Sequence, residues 1–196
     1  MNCCLFDVAN VLKGGFEMGN LWYNEPKSLD VAFDVIGDIT FGASAQQYGG
    51  FTIPQVDKIL APYAEKSYQK YYEEYINIAE DIEYEVPATA HHTKAEQYAT
   101  KKVRREFEQG FQSWEYKFNT VGSSRGDYPF ITVTTGLGTE PYEKMATAAM
   151  LKIRMGGQGK KECKKPVLFP KIVFLYDENL HGENGVSYDL FKLGVE

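Results

Sequence analysis

The chain has 196 residues, 43% hydrophobic and 24% charged, with a net charge of −6. That size suits one domain with a real core, and the composition is that of a globular protein. The negative charge argues against general nucleic-acid binding, which needs a cationic surface.

No stretch approaches the ~18 apolar residues of a membrane span. Asp7 interrupts the first apolar run and no basic region precedes it, so no signal peptide is expected. Three cysteines are an odd number without framework spacing, which points to a reducing cytoplasm. Aromatic residues reach 14%, with 14 tyrosines, and suggest large helix–helix or subunit contacts.

The first apolar run, Cys3 to Val8, reads as a buried strand, and Asn10 to Gly15 as a loop. Gly14 to Asn20 is glycine-rich, and Leu21 to Lys27 is irregular, punctuated by Pro26. Leu29, Ala32, Phe33, Ile36, Ile39 and Ala43 recur at three and four, so Ser28 to Gln47 reads as an amphipathic helix with Ser28 as N-cap. Gly37 and Gly42 inside it each cost about 1 kcal/mol relative to alanine and imply a closely packed backbone. Tyr48 to Thr52 ends that helix. Thr52 and Pro54 open the next, with Asp57 in its first turns, and it keeps helical spacing to Ile82. Pro62 is expected to kink or restart it. Glu83 to His92, around Pro87, reads as a connection, and Thr93 to Phe118 as a third long helix. Such lengths favour a helical layer able to pair with a second subunit.

Val121 to Tyr128 reads as a polar turn region, and Pro129 to Thr135 as a strand. Gly136-Leu137-Gly138-Thr139 leads to Pro141 and a helix ending near Met155. Gly156 to Lys165 reads as a loop. Val167 to Tyr176 is a further strand, begun near Pro170, with Ile172 to Leu175 apolar enough for burial on both faces. Strand, helix and strand make a βαβ unit, so the sheet should be mostly parallel. A polar loop follows, then a helix from Tyr188. The chain stops inside it, which predicts a fragment or a split gene.

Several groups have a chemical and a plain reading. A thiol on a strand, as at Cys3 or Cys4, can serve only as packing. Gly136, Gly138 and Thr139 could cradle a substrate phosphate at a helix N-terminus, or could form a tight turn capped by Thr139. Glu140 has the wrong charge for a phosphate site. His91 and His92 read as a solvated pair without metal-ligand spacing. Cys163 reads as an incidental exposed thiol among lysines. Glu73, Glu74, Glu80, Asp81, Glu83 and Glu85 read as a solvated acidic helix end.

Several stretches together, across nearly the whole chain, resemble one family. They are Asn2-Cys3-Cys4-Leu5-Phe6-Asp7, Gly15-Phe16 to Met18-Gly19-Asn20, Pro26-Lys27-Ser28, Tyr48-Gly49-Gly50 and Asp57 to Ser67-Tyr68-Gln69-Lys70. They continue with Phe111 to Tyr116 and Asn119-Thr120, Pro129-Phe130, Gly136 to Thr139, Leu151 to Arg154 and Gly159-Lys160, Phe169-Pro170-Lys171 and Tyr188-Asp189-Leu190. In this order and spacing they resemble the anaerobic (class III) ribonucleoside-triphosphate reductases, which are glycyl radical enzymes.

The resemblance implies an α/β fold, the first half of a ten-stranded α/β barrel, with long helices forming a dimer interface. Residues 1–196 would be a single partial domain, truncated at the C-terminus. It implies radical reduction of ribonucleoside triphosphates to deoxyribonucleoside triphosphates, with Cys3 as the catalytic hydrogen donor and Cys4 structural. Lys27 and Lys70 would contact a deoxynucleotide or ATP effector. The finger-loop cysteine, the radical glycine and its metal-binding cysteines have no counterpart here, so the chain alone is expected to be inactive and to bind no cofactor or metal. The family also implies an iron–sulfur and S-adenosylmethionine activase, formate or a thiol as reductant, and a homodimer; from charge and hydropathy no nucleic-acid or membrane partner is expected. The alternatives are a non-catalytic nucleotide-binding or dimerisation module, and an unrelated thiol enzyme using Cys3, for which no local base is evident.

Overall fold

Asp7 decides where the first strand ends. Its carboxylate accepts the Asn10 amide at 3.2 Å and starts a helix, α1, Val8–Leu12. The strand before it, β1, is therefore only Cys4–Leu5, shorter than the apolar run. The expected loop from Asn10 thus begins as helix, with Val8 and Leu12 buried. A computed structural model describes residues 2–82, 88–120, 122 and 128–196.

The glycine-rich stretch and the irregular one after it form an antiparallel hairpin of β2, Phe16–Met18, and β3, Leu21–Tyr23. Phe16 stacks on Tyr23 with ring centroids 4.9 Å apart. Helix α2 follows, Leu29–Ser44, ending before the expected Gln47. Ser28 holds the N-cap position, but its hydroxyl turns to the Asp30 carboxylate. The Leu29 N–H is satisfied instead by Ser67 Oγ at 2.8 Å. Gly37 and Gly42 face side chains, Lys117 and Met18, rather than a neighbouring backbone.

The stretch expected to join two helices contains a strand, β4, Phe51–Ile53. Helix α3, Val56–Ile82, runs through Pro62 without restarting. Helix α4, Ala88–Thr120, begins before Thr93 and takes in both His91 and His92. The connection expected around Pro87 and most of the turn expected after Thr120 lie outside the described residues.

Strand β5, Ile131–Thr135, leads to α5, Pro141–Gly156. The N-cap of α5 is Glu140, in a reciprocal capping box with Glu143, rather than Thr139. A second hairpin, β6 Gln158–Lys160 with β7 Cys163–Lys165, occupies the expected loop. Strand β8, Lys171–Phe174, precedes α6, Glu178–His181, and α7, Tyr188–Val195.

Four strands form one sheet in the order β1-β4-β5-β8, and every pairing in it is parallel. The expected parallel βαβ arrangement is present, in a mixed α/β fold. Register puts Phe51, Ile131, Ile53 and Val133 on one face, all buried beneath the helices. The other face carries the row Leu5, Thr52, Thr132 and Lys171, with Thr134 beside Val173. Leu5 is 75% and Val173 43% exposed, so this face is open. Burial of β8 on both faces is therefore not seen: it is the last strand, and its alternation is exposed and half-buried.

The helical layer packs on aromatics. Phe33 meets Phe111 and Trp114 edge-on at 5.0 and 4.9 Å, and Trp114 Nε1 donates to the Phe33 carbonyl at 2.9 Å. Tyrosines join α3 to α4 through Tyr71, Tyr75 and Tyr98. Among the described residues no helix is long and apolar enough to cross a membrane.

Candidate functional site

Strand alternation sets the two N-terminal thiols on opposite faces. Cys4 pairs in register with the buried Phe51, and its Sγ accepts from Gln47 Nε2 at 3.0 Å. Cys3, one residue before β1, is exposed and shares the open-face alternation with Leu5. Its Sγ accepts the Gly50 N–H at 3.2 Å. Gly49 and Gly50 therefore lie directly against Cys3, at the entry to β1. Phe130, 60% exposed, belongs to the same face by alternation from Ile131. The thiol thus stands at one edge of a sheet face made of threonines and apolar side chains. Such a face suits a step that needs water kept away once it is covered. The hydrogen bond to Cys3 comes from a backbone amide, not from a base, so it does not form a thiol–base pair.

The glycine loop after β5 is at the other end of the sheet. Cys3 lies level with Phe130, and Gly136 is six residues further along β5, roughly 20 Å at the rise of a strand. The structure does not bring these two predicted sites together. The loop amides also already hold anions. Asp57, fully buried, accepts from Gly136 N–H at 3.0 Å, Gly138 N–H at 3.2 Å and the Thr147 hydroxyl at 3.4 Å. Glu143 accepts from the Thr139 and Glu140 N–H groups at 2.8 and 3.0 Å. A phosphate here would have to displace both carboxylates. Gly136 has φ +117° and an added Cβ would sit 2.9 Å from Leu175 O, so no other residue fits that turn.

His181 completes this loop. Asp177 N–H donates to its Nδ1 at 2.9 Å, so Nε2 carries the proton and donates to the Gly136 carbonyl at 2.9 Å. Its ring is fully buried against Phe174 and Tyr176. Sequence reasoning missed this role. A lone histidine in a polar stretch gave no signal, and Asp57 read only as a helix-start residue.

Lys27, in the loop between β3 and α2, and Lys70, on α3, are both exposed. Their elements are joined. Lys66 on α3 reaches Glu25 at 2.7 Å and the Pro26 carbonyl at 3.2 Å, and Ser67 caps α2 two residues after Lys27. Lys70 Nζ lies 5.4 Å from the centre of the Tyr71 ring. Beside it is a cavity of about 370 Å³ lined by Asp30, Asp34, Tyr71, Lys102, Arg105 and Glu106 among others. Burial and the Glu106 carboxylate, which accepts from the Tyr71 hydroxyl, raise the Tyr71 pKa well above the usual tyrosine range.

The histidine pair lies in α4 rather than in a loop, and of the two only His92 is exposed. His91 is buried on α4, and His92 Nδ1 bonds the Tyr72 hydroxyl at 2.6 Å. Cys163 is exposed at the tip hairpin, as expected. Among the described residues no three His, Cys, Asp or Glu side chains converge to hold a metal ion.

The family model described as anaerobic ribonucleoside-triphosphate reductase matches residues 1–196. This chain belongs to that family. Proteins of that name from Enterobacteria phage T4, Haemophilus influenzae and Escherichia coli K12 are 36%, 37% and 35% identical to it. Each comparison covers the whole of this chain but only 30%, 26% and 26% of the relative. The chain therefore spans under a third of the length of these reductases. The matched residues take in both ends of the sheet and the helical layer.

Proposed function

We propose that this chain is the part of an anaerobic ribonucleoside-triphosphate reductase that presents Cys3 to the substrate ribose. The observation that carries this reading is the position of Cys3, exposed at the edge of the open sheet face and held there by the Gly50 amide. The four parallel strands then belong to the first half of a ten-stranded barrel, whose interior is this open face. In the complete reductase, a glycyl radical and an iron–sulfur and S-adenosylmethionine activase would supply the radical chemistry. Cys3 supplies hydrogen as the 2′ hydroxyl leaves as water, and formate or a thiol is the final reductant. A thiol suits this role because its S–H bond is weak. Cys4, turned beneath the helices, is structural.

Activity is tested in a chimaera in which these residues replace the matching stretch of the phage T4 relative, activated without oxygen. The chimaera should form deoxyribonucleoside triphosphate, and Cys3→Ala should abolish it. Turnover that survives Cys3→Ala would remove Cys3 from the chemistry.

The same reading makes α2, α3 and α4 the homodimer layer, with Lys27 and Lys70 on the triphosphate of a deoxynucleotide or ATP effector. Lysines there match an anionic partner electrostatically, and the Lys66 and Ser67 contacts hold the two segments as one surface. Calorimetric titration with nucleotides should saturate near one per subunit and fail in a Lys27→Ala, Lys70→Ala double variant. Unaltered binding in that variant would place the effector elsewhere. Nucleotide binding without any dependence of turnover on Cys3 would favour a regulatory or dimerisation module instead.

A further inference from the structure

The segment between α2 and β4 grips both N-terminal sulfurs. Gln47 Nε2 donates to Cys4 Sγ at 3.0 Å, and Gly50 N–H donates to Cys3 Sγ at 3.2 Å. The two glycines of the turn do different things. An added Cβ at Gly49 would lie 2.0 Å from the Asn2 carbonyl oxygen and 2.6 Å from Cys3 Sγ, inside any tolerable contact. At Gly50 it would meet only the Phe130 carbonyl oxygen at 3.5 Å, an ordinary contact. Gly49 therefore supplies space, and Gly50 supplies an amide.

We infer that Gly49 and Gly50 are positioning residues for Cys3, fixing its sulfur through the Gly50 N–H so that its own hydrogen is delivered over the open sheet face. This rests on the reading of Cys3 as hydrogen donor. Sulfur is a weak acceptor, so one amide alone is a modest restraint on a side chain. Here the carbonyl of the same residue also accepts Cys4 N–H at 3.0 Å, so donor and acceptor of Gly50 clamp adjacent residues, Cys3 by its side chain and Cys4 by its backbone. The residue that bonds the thiol is thus itself fixed to the backbone next to it. With the amide on one sulfur lone pair, the S–H turns away from Gly50.

The test separates the amide from the glycine. Gly50→Pro removes the N–H, whereas Gly50→Ala keeps it at a position with room for a methyl group. In the intact chain, iodoacetamide labelling of Cys3 is read against the exposed Cys163 by mass spectrometry. Gly50→Pro should change that ratio about threefold or more, because exposure and orientation of a thiol govern its labelling once the contact that fixes it is lost, and Gly50→Ala should restore it. In a chain whose only thiol is Cys3, the Raman S–H band should shift in Gly50→Pro and keep its position in Gly50→Ala. Equal ratios and equal bands in the two variants would overturn the proposal. Where Gly50→Pro fails to fold by circular dichroism, glycolate in place of Gly50 removes the N–H without a ring and is judged by the same two readings.

Turnover in the chimaera keeps the two ideas apart. Loss in Gly50→Pro, mainly in kcat, with recovery in Gly50→Ala supports the clamp. Full turnover in Gly50→Pro beside none in Cys3→Ala overturns the clamp and leaves Cys3 as donor. Full turnover in Cys3→Ala overturns the donor reading, while the labelling and Raman results still judge the contact.

Discussion

At the scale of single residues, the polar contacts that matter join parts of the chain far apart in sequence. Glu115, 4% exposed, accepts from Arg154 Nε at 2.7 Å and from Gln158 Nε2 at 2.6 Å. Arg154 also donates to the Pro170 carbonyl at 2.7 Å, so one guanidinium ties α4, α5 and the lead-in to β8. Arg154→Ala leaves a buried carboxylate without its cation. Breaking such a pair costs about 3 kcal/mol or more, which a shifted urea midpoint at constant slope would report. Tyr63 behaves differently. Burial, helped by the Glu25 carboxylate, pushes its hydroxyl up to about 12. The unfolded chain releases that proton near pH 10. The native state therefore keeps a proton that the unfolded state loses, and the stability this confers is whole below about pH 10 and lost as pH rises through about 12. Tyr63→Phe should flatten the fall in unfolding free energy across that window, measured by denaturant titration on either side of it. The sequence shows neither effect: Tyr63 and Arg154 look like ordinary helix residues until their partners are known. The role proposed for Cys3 rests on resemblance, since a thiol in an apolar run carries no signal of which face it takes.

Among the elements, legibility follows length. The three long helices and β5 stand out because apolar spacing repeats over several turns or alternates over several residues. β4 does not, because Phe51-Thr52-Ile53 is three residues between two glycines and a proline. Its strand character comes from pairing with β1 and β5, which no local pattern records. The two hairpins were hidden for the same reason. The start of α2 shows how tertiary structure replaces a local cap: Ser28 is the right residue at the right place, yet Ser67 makes the bond. Ser67→Ala should therefore destabilise α2 by about 1 kcal/mol, as loss of a helix cap does, whereas Ser28→Ala should have a smaller effect. Equal effects on thermal unfolding would return the cap to Ser28. The loop after β5 repeats the lesson. Its glycines look like a phosphate cradle because free amides at a helix start bind anions. The anions turn out to be Asp57 and Glu143. Asp57→Ala would strand two amides, costing about 1–3 kcal/mol for each group left unsatisfied.

For the whole molecule, the unbalanced sheet decides behaviour in solution. One face lies under the helices, and the other presents Leu5, Phe130 and Val173 among its threonines. β1 and β8 are both edge strands of the sheet. Unpaired edges and exposed apolar faces promote association. In the proposed barrel the same face is the interior, where water must be kept from a radical. The chain by itself should therefore self-associate through the sheet rather than stay a monomer. Lysine at Leu5 and Val173 places charge on that face, touches neither the helical layer nor its buried core, and should shift the chain towards smaller species in sedimentation velocity. The helical layer offers the competing route, through α2, α3 and α4. Association that ignores Leu5→Lys and Val173→Lys but weakens when Lys27 and Lys70 are changed would locate the contact on the helices. A stable monomer at high concentration would contradict both routes, and would mean that the threonines between the apolar side chains are enough to keep an open sheet face in water.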